Sequence, residues 1–300
     1  MSTLSPLTLD SRQHSKKPRM LVVDDESDNL DLLFRTFRRD FKVFKAKSGA
    51  EALKILLSEG EVAVIISDQR MPEMKGTEFL SKTVPDFPDT VRIILTGFTD
   101  VEDLVEAINA GQVYRYITKP WDPEKLKVIV NKASAAYEQL KERCIELHKA
   151  EKQSKMVLIV GQIAAQSMRK EEALQYLAHG FGEILNADAC TLLLTDGSNT
   201  GSYGLVDVDK VSSSQLVVDM IASRRHQALI DIQSDAALVN NPLYTDGTQC
   251  HLAIPIIYQG KALGAFSFQW KTPYKTLDDV IQLLGLISPQ IALSLIAAVL

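Results

Sequence analysis

The sequence is poor in the residues that mark secreted or zinc-binding proteins. It has only three cysteines, Cys144, Cys190 and Cys250, and no two of them have the Cys-x-x-Cys spacing of zinc or redox sites. The first 18 residues are rich in Ser, Thr, Lys and Pro and lack the apolar core of a signal peptide. We therefore expect residues 1–18 to be a disordered lead-in and the protein to be cytoplasmic.

Positive charge and long apolar runs are also scarce. The 33 Lys and Arg residues are outnumbered by 38 Asp and Glu residues, so the formal net charge is -5. This balance argues against a nucleic-acid partner, and no helix-turn-helix or zinc-finger pattern is present. The run 283–300 carries no charge and is almost long enough to span a membrane. Because Ser288, Pro289 and Gln290 interrupt it, we expect a helix that covers a sheet or a partner helix, not a membrane anchor.

Strand-like and helical patterns alternate along the first part of the chain. Apolar runs typical of buried strands include 20–23, 62–66, 91–95 and 113–117, and the helical patterns are 30–37, 50–57, 76–82, 101–109 and the stretch after Pro123. Five such β/α units predict an α/β domain with a five-stranded, doubly wound parallel sheet, which we place at residues 19–135.

Polar side chains follow four of these strand-like runs. Asp24 and Asp25 come after the first run, and Asp68, Thr96 and Lys119 come after the later ones. In an open parallel sheet ligands collect at the carboxyl ends of the strands, so we expect these side chains to converge. Mg²⁺ prefers hard oxygen ligands, and clustered carboxylates repel one another without a cation. The pattern predicts a magnesium-dependent phosphoryl site with Asp68 as nucleophile and with Lys119 and Thr96 on the phosphate oxygens.

A second class of protein combines similar residues. Magnesium-dependent phosphatases of the haloacid dehalogenase type also use an Asp nucleophile with Lys and Thr support. Their nucleophile belongs to an Asp-x-Asp motif on the first strand. Here the first strand ends in the adjacent acids Asp24 and Asp25, and the acceptor Asp68 follows the third strand. The order of the motifs therefore favours a phosphoacceptor over a phosphatase.

Four motifs at the strand ends carry a family resemblance. LVVDDE (21–26), SDQRMP (67–72), LTG (95–97) and YITKP (116–120) resemble the motifs of a response regulator receiver domain of two-component signalling. The resemblance implies a flavodoxin-like fold and a phosphoacceptor, Asp68, that takes its phosphoryl group from a sensor histidine kinase. It also implies that the domain is not an enzyme beyond its own phosphorylation and dephosphorylation.

The resemblance also implies a metal site and a conformational switch. Asp25, Asp68 and the backbone carbonyl of Arg70 would bind Mg²⁺ directly, and Asp24 would act chiefly through water. Thr96 and Tyr116 would be the switch pair. We also expect Arg70 and Phe98 to flank the acceptor and to screen the phosphate from water.

The helical pattern after Pro123 continues without a breaker. Apolar or small residues recur alternately at spacings of four and three: Leu126, Val130, Ala133, Tyr137, Leu140, Cys144 and Leu147. This seam predicts a helical connector over 136–155 that pairs in parallel with a second chain. In the alternative, one amphipathic helix packs its stripe on its own sheet, as the first turns must. Glu151 and Ser154 end the seam.

The remaining residues carry a second resemblance. LNADA (185–189), LAIPI (252–256), Gly260 and the pair 263–264 resemble a GAF domain, which we place at 156–300. The resemblance implies an α+β fold with an antiparallel sheet and dimerisation through the terminal helices. It also implies a pocket that in some members binds a cyclic nucleotide, a bilin or haem. The ligand here stays unassigned.

The pair Cys250-His251 invites a bilin interpretation. Some photoreceptor members attach a bilin through a Cys followed by His, but that Cys lies in a helix upstream of the strand. Here the pair runs directly into the strand pattern 252–256, which argues against a bilin and favours His251 as a strand residue over a haem ligand.

Neither half of the chain carries a motif for a catalytic output. We therefore expect a response regulator dimer in which the receiver domain relays its state through the connector to the GAF domain and a downstream protein. A receiver–GAF fragment of a longer protein, with an effector beyond residue 300, is the alternative.

Overall fold

The computed structural model describes residues 17–97, 113–198, 200–235, 238, 241, 243–274 and 276–298. The chain forms two compact units, Met1–Ile145 and Glu146–Leu300. The helical pattern predicted over 101–109 and most of the predicted lead-in lie outside the described residues.

The first unit contains the predicted parallel sheet. Its elements are β1 (Arg19–Val23), α1 (Ser27–Phe37), β2 (Lys42–Ala46), α2 (Gly49–Glu59), β3 (Val64–Asp68), α3 (Gly76–Thr83), β4 (Val91–Thr96), β5 (Arg115–Thr118) and the beginning of α4 (Pro123–Ala165). The strand order is β2-β1-β3-β4-β5, and every pairing is parallel. The predicted five-stranded α/β fold is therefore confirmed.

The apolar runs of this sheet follow from its burial on both faces. Every residue of β3 and β4 is buried, because helices cover the sheet on each side. One core joins the sheet to α1 and the beginning of α4, with Leu30, Leu33, Phe37, Leu126 and Val130 among its members. A second core on the opposite face contains Ala52, Leu56, Phe79 and Leu80 from α2 and α3. Each large apolar side chain buried in this way contributes about 1.5 to 3 kcal/mol.

The second unit is built on an antiparallel sheet. After the end of α4 it comprises α5 (Lys170–Ile184), β6 (Ala189–Leu194), β7 (Thr200–Gly204), α6 (Val208–Ser212), α7 (Gln215–Ser223), β8 (Gln227–Ile230), β9 (Cys250–Tyr258), β10 (Lys261–Trp270) and α8 (Asp278–Ala297). The strand order is β7-β6-β10-β9-β8. The predicted hairpin is present as β9 and β10, and its apolar face lies in the core with Leu252, Ile254, Phe266, Phe268 and Trp270.

The uncharged run near residue 300 forms α8. Among the residues that the structure describes, α8 is the one helix long and apolar enough to cross a membrane by length and composition. Leu284, Ile287, Ile291 and Leu295 of this helix lie in the core of the second unit. The apolar stripe of α8 therefore packs on the sheet, as a helix that covers a sheet requires.

Candidate functional site

Three charged groups meet at the carboxyl edge of the parallel sheet. Lys119 Nζ lies 3.2 Å from Asp24 Oδ2 and also contacts Asp68 Oδ1. Asp24 directly follows β1, Asp68 ends β3, and Lys119 directly follows β5. Asp24 is 0% exposed and Asp68 is 6% exposed. Two buried carboxylates therefore share one ammonium, which offsets part of the cost of removing them from water.

Local hydrogen bonds orient both carboxylates. Asp24 Oδ1 accepts from the backbone N–H of Glu26 at 2.9 Å and from Asn29 Nδ2 at 3.1 Å. Asn29 lies in the first turn of α1, so the helix that follows β1 holds the acid at the end of β1. Asp68 Oδ2 accepts from the backbone N–H of Arg70 at 2.7 Å.

The loop after β3 is fixed by a close approach of α3. A Cβ on Gly76 would lie 2.1 Å from the carbonyl oxygen of Asp68, so only glycine fits there. The backbone N–H of Gly76 donates to the Gln69 carbonyl at 3.0 Å, and that of Thr77 donates to Gln69 Oε1 at 3.1 Å. Sequence reasoning missed the roles of Asn29, Gln69 and Gly76. The one available signal was that Gly76 is a glycine at the start of a helical pattern.

Backbone bonding joins the ends of β4 and β5. The backbone N–H of Lys119 donates to the Thr96 carbonyl at 2.7 Å, and the Lys119–Pro120 peptide bond is cis. The Thr96 side chain is buried, and its hydroxyl donates to the Gly97 carbonyl at 3.0 Å. Thr96 therefore lies at the same edge of the sheet as Lys119.

Burial and charge shift the titration of the pair. Burial raises the pKa of Asp68, as does the charge of Asp24, while the hydrogen bond and charge of Lys119 oppose this rise. Burial alone would lower the pKa of Lys119, but contact with the carboxylates of Asp68 and Asp24 outweighs it and raises that pKa. Lys119, helped by the backbone N–H of Arg70, therefore favours an ionised Asp68.

The other predicted residues are less tightly placed. Asp25 and Arg70 are exposed beside the site. Tyr116 is a partly exposed residue of the edge strand β5 and pairs with Ile94, so it is offset by two positions from Thr96, which pairs with Thr118. Phe98 lies outside the described residues.

The oxygens at this edge suit a hard cation. Among the described residues no group of three or more His, Cys, Asp or Glu side chains is already arranged around a metal position. Mg²⁺ needs less, because one or two carboxylates with a carbonyl, a phosphate oxygen and waters complete its octahedron. The chemistry of the donors at this edge therefore fits magnesium.

A buried polar cluster in the second unit joins β9 and β10 to the segment before them. His251 is fully buried, and its ring nitrogens Nδ1 and Nε2 lie 2.8 Å from the Tyr244 hydroxyl and 2.7 Å from Ser267 Oγ. Burial lowers the pKa of His251 to about 3 and raises the pKa of the neighbouring Cys250 thiol to about 11. Both ring nitrogens are therefore engaged, and the thiol is a poor nucleophile.

Two family models match this chain. The response regulator receiver domain model matches residues 20–131, and the GAF domain model matches residues 169–295. The first match covers the parallel sheet with its strand-end acids, and the second covers the antiparallel sheet with α5 and α8.

Curated relatives match part of this chain. The hydrogenase transcriptional regulatory protein HoxA of Cupriavidus necator is 42% identical over 121 residues, which are 40% of this chain and 25% of that protein. The chain thus spans a quarter of the length of this relative. A chemotaxis protein CheY homolog of Campylobacter jejuni is 34% identical over 113 residues, which are 36% of this chain and 86% of that protein.

Solved structures are also similar to part of this chain. The crystal structure of a response regulator receiver domain protein from Clostridium thermocellum is 30% identical, covers 41% of this chain and 98% of that chain, and gives a TM-score of 0.39. Since the chain covers most of the CheY homolog and the receiver model matches residues 20–131, it belongs to the response regulator receiver family, with a GAF domain after its receiver domain.

Proposed function

We propose that Asp68 accepts a phosphoryl group from a phosphohistidine of a sensor histidine kinase. The observation that carries this proposal is the buried contact of Asp68 with Lys119 at the carboxyl edge of the sheet. In the transfer, an Asp68 oxygen forms a bond to phosphorus while the N–P bond of the phosphohistidine breaks and the imidazole leaves with the electron pair. Lys119 neutralises charge on a phosphoryl oxygen, which a compact ammonium does well.

Magnesium would be held by Asp25, Asp68 and the carbonyl of Arg70, with Asp24 acting through water. Two buried carboxyl groups, Asp24 and Asp68, share the single positive charge of Lys119. A further cation at this site would therefore be electrostatically favourable. When bound, the ion would supply positive charge to the oxygens of the incoming phosphoryl group.

Thr96 and Tyr116 would report the modification. Thr96 is buried at the end of β4, and its carbonyl accepts from the backbone N–H of Lys119, so a shift of Lys119 towards phosphate reaches Thr96 directly. Tyr116 lies on the next strand and is partly exposed, so its ring has space to change position. We propose that the two residues form the switch pair.

A labelling experiment tests the acceptor. The full chain is incubated with Mg²⁺ and acetyl [³²P]phosphate, a small phosphodonor, and label that hydroxylamine removes is counted, because hydroxylamine cleaves acyl phosphates. We expect the wild type to be labelled, Asp68→Asn to remain unlabelled and chelation of Mg²⁺ to abolish labelling. Asp40→Asn, which changes an exposed acid of the same unit, is the matched control. Label retained by Asp68→Asn would overturn the assignment.

The connector would pair two copies of the chain in parallel. Along α4 the first seam residues, Leu126, Val130 and Ala133, are buried in the receiver core, whereas Leu140 and Leu147 are exposed. Among the described residues, nothing fully covers the side chains of Leu140 and Leu147, which supports a partner helix.

The heptad spacing continues beyond the polar positions Glu151 and Ser154. It reaches Leu158, whose side chain is exposed, whereas Met156 and Val160 on another face of α4 are buried in the core of the second unit. We propose that this one helix carries both a face for the core of the second unit and a seam for a second copy.

The GAF domain would pass the change in the connector to a downstream protein. The buried His251 and Cys250 support neither a haem ligand nor a bilin attachment at this pair. We propose a cytoplasmic protein without catalytic output, nucleic-acid partner or membrane contact. The receiver match favours this function over a haloacid dehalogenase-type phosphatase. The alternative is a longer protein with an effector beyond residue 300. The DNA sequence that follows codon 300 tests it, because an effector would require the reading frame to continue.

A further inference from the structure

A second charged cluster lies in the first unit, and α4 supplies its centre. Lys141 Nζ lies 2.9 Å from Glu61 Oε2 and 2.7 Å from Asp89 Oδ2. The same ammonium lies 5.6 Å from the centre of the Tyr137 ring, one turn earlier on the helix. We call Lys141, Glu61, Asp89 and Tyr137 the clasp, because together they hold α4 against the sheet.

The two acids of the clasp stand before the strands that carry the phosphorylation site. Glu61 precedes β3, which ends at Asp68, and Asp89 precedes β4, which ends at Thr96. The backbones of β3 and β4 are joined along their length, from the pair Val64 and Val91 to the pair Asp68 and Leu95. The clasp and the phosphorylation site are therefore at opposite ends of the same two strands.

We propose that the clasp is a release device, in which phosphorylation of Asp68 loosens Lys141 and frees the adjoining turns of α4. The proposal rests on the proposed function of Asp68. One ammonium bridges two acids at short ion-pair distances. These two distances therefore depend on the relative position of β3 and β4. A shift of one strand against the other lengthens at least one of the two contacts.

The ion pairs of the clasp are weak enough to open. Lys141, Glu61 and Asp89 each keep part of their side chain in water, and ion pairs of this kind are weak. Glu61 Oε1 is buried without a hydrogen-bond partner, so this carboxylate relies on the contact of its other oxygen with Lys141 and on the charge of Arg92. A small displacement can therefore change the balance between the closed and open clasp.

The clasp lies where the seam changes from buried to exposed residues. Tyr137 packs against the receiver core, while the next seam residue, Leu140, is exposed. Burial and the charge of Glu61 raise the pKa of Tyr137 to about 12, so its ring stays neutral in this position. Opening of the clasp would add Tyr137 to the seam that a second copy can contact.

Hydrogen exchange of the full chain, followed by mass spectrometry with and without acetyl phosphate and Mg²⁺, tests the release. In the wild type we expect exchange of the amides of residues 137–146 to rise about fivefold on phosphorylation. In Lys141→Met, exchange there should already be fast, and phosphorylation should add nothing. Asp89→Asn removes one of the two contacts and should give an intermediate rate.

Lys127→Met is the matched control. Lys127 lies on the same helix, is partly exposed like Lys141 and forms an ion pair with the exposed Glu124 at 3.0 Å, so its loss removes the same charge without touching the clasp. This variant should behave as the wild type. Unchanged exchange over 137–146 in Lys141→Met, or in the phosphorylated wild type, would overturn the release device. Absence of labelling at Asp68 would instead overturn the proposed function. In that case, hydrogen exchange over 137–146 in the unphosphorylated variants would still show whether the clasp holds α4.

Discussion

Lys119 Nζ lies 3.2 Å from Asp24 Oδ2, deep enough in the protein that Asp24 has no exposed surface. The same ammonium contacts Asp68, so it serves two carboxylates at once. A phosphoryl group on Asp68 would compete for this ammonium. Asp24 would then depend on the hydrogen bonds from Asn29 and Glu26, which already hold its Oδ1. Lys119 thus connects the stability of the site with its proposed chemistry.

Loss of this ammonium should weaken the fold as well as the phosphorylation. We expect Lys119→Met to lower the free energy of unfolding at neutral pH by about 2 kcal/mol, because it leaves two buried carboxylates without their cation. Burial already raises the pKa of Asp68, and removal of Lys119 should raise it further. A carboxyl whose pKa is raised by folding binds protons more tightly when folded, so acidification should reduce the deficit.

Urea unfolding near neutral pH and near pH 4 checks this expectation, with Lys127→Met as the control for loss of a partly exposed lysine that contacts no buried acid. A deficit that is equal at both pH values would contradict the role of Lys119 as the counter-ion of buried acids. A variant labelled by acetyl phosphate at the wild-type rate would contradict its role in the transfer.

The buried imidazole of His251 should make the stability of the second unit depend on acid. Burial lowers its folded-state pKa to about 3, whereas the ordinary value is 6.5. Between these values the unfolded chain binds a proton that the folded chain does not, so stability should fall as the pH drops through this range. The slope from one such group is at most about 1.4 kcal/mol per pH unit.

Comparison of the slopes isolates this contribution. We expect His251→Gln to lose stability at all pH values but to show a shallower dependence between about pH 6 and pH 4 than the wild type. His226→Asn, which changes an exposed histidine of the same unit, should keep the wild-type slope. An imidazole of His251 that titrates near its ordinary value in NMR spectra would refute the neutral, hydrogen-bonded assignment.

The parts of the site that were predictable from sequence are those set by strand ends. Asp24, Asp68 and Lys119 meet because parallel strands finish at one edge of a sheet, and a buried strand is visible as an apolar run. Asn29 and Gly76 were not predictable, because their roles arise from packing of helices on the loops. A side-chain amide in the first turn of a helix, or a glycine at its start, can have many structural roles. Only the position of the neighbouring backbone shows which role applies.

The limits of periodicity are clearest along α4. The spacing of four and three is the same from Val130 to Leu147, yet the structure buries Val130 in the receiver core and leaves Leu147 exposed. Helical spacing tells which residues share a face but not what covers that face. The contacts of Lys141 with Glu61 and Asp89, which mark the change, join residues distant in sequence and leave no local signal.

Charges placed on the exposed seam should separate the proposed dimer. Leu147 is a seam position and is 70% exposed, and Leu158, which continues the same heptad spacing beyond Ser154, is 65% exposed. We expect Leu147→Asp and Leu158→Asp each to weaken dimerisation at least tenfold in sedimentation equilibrium, because each pairs two carboxylates across a helix interface. That loss corresponds to about 1.4 kcal/mol. Leu205→Asp is the control, since Leu205 is 98% exposed and lies outside the helix.

The direction of pairing can be read from Cys144. It is an exposed seam residue, whereas Cys190 and Cys250 are buried, so it is the thiol that mild oxidation should reach among the three. In a parallel pair the two copies of a seam residue face each other, and a disulfide needs Cα atoms within about 7 Å. We expect copper-phenanthroline to convert the wild type to a crosslinked dimer on a non-reducing gel, and Cys144→Ser to stay monomeric there. A sedimenting dimer that does not crosslink would show that the helices are antiparallel or out of register, and the parallel arrangement would then be wrong.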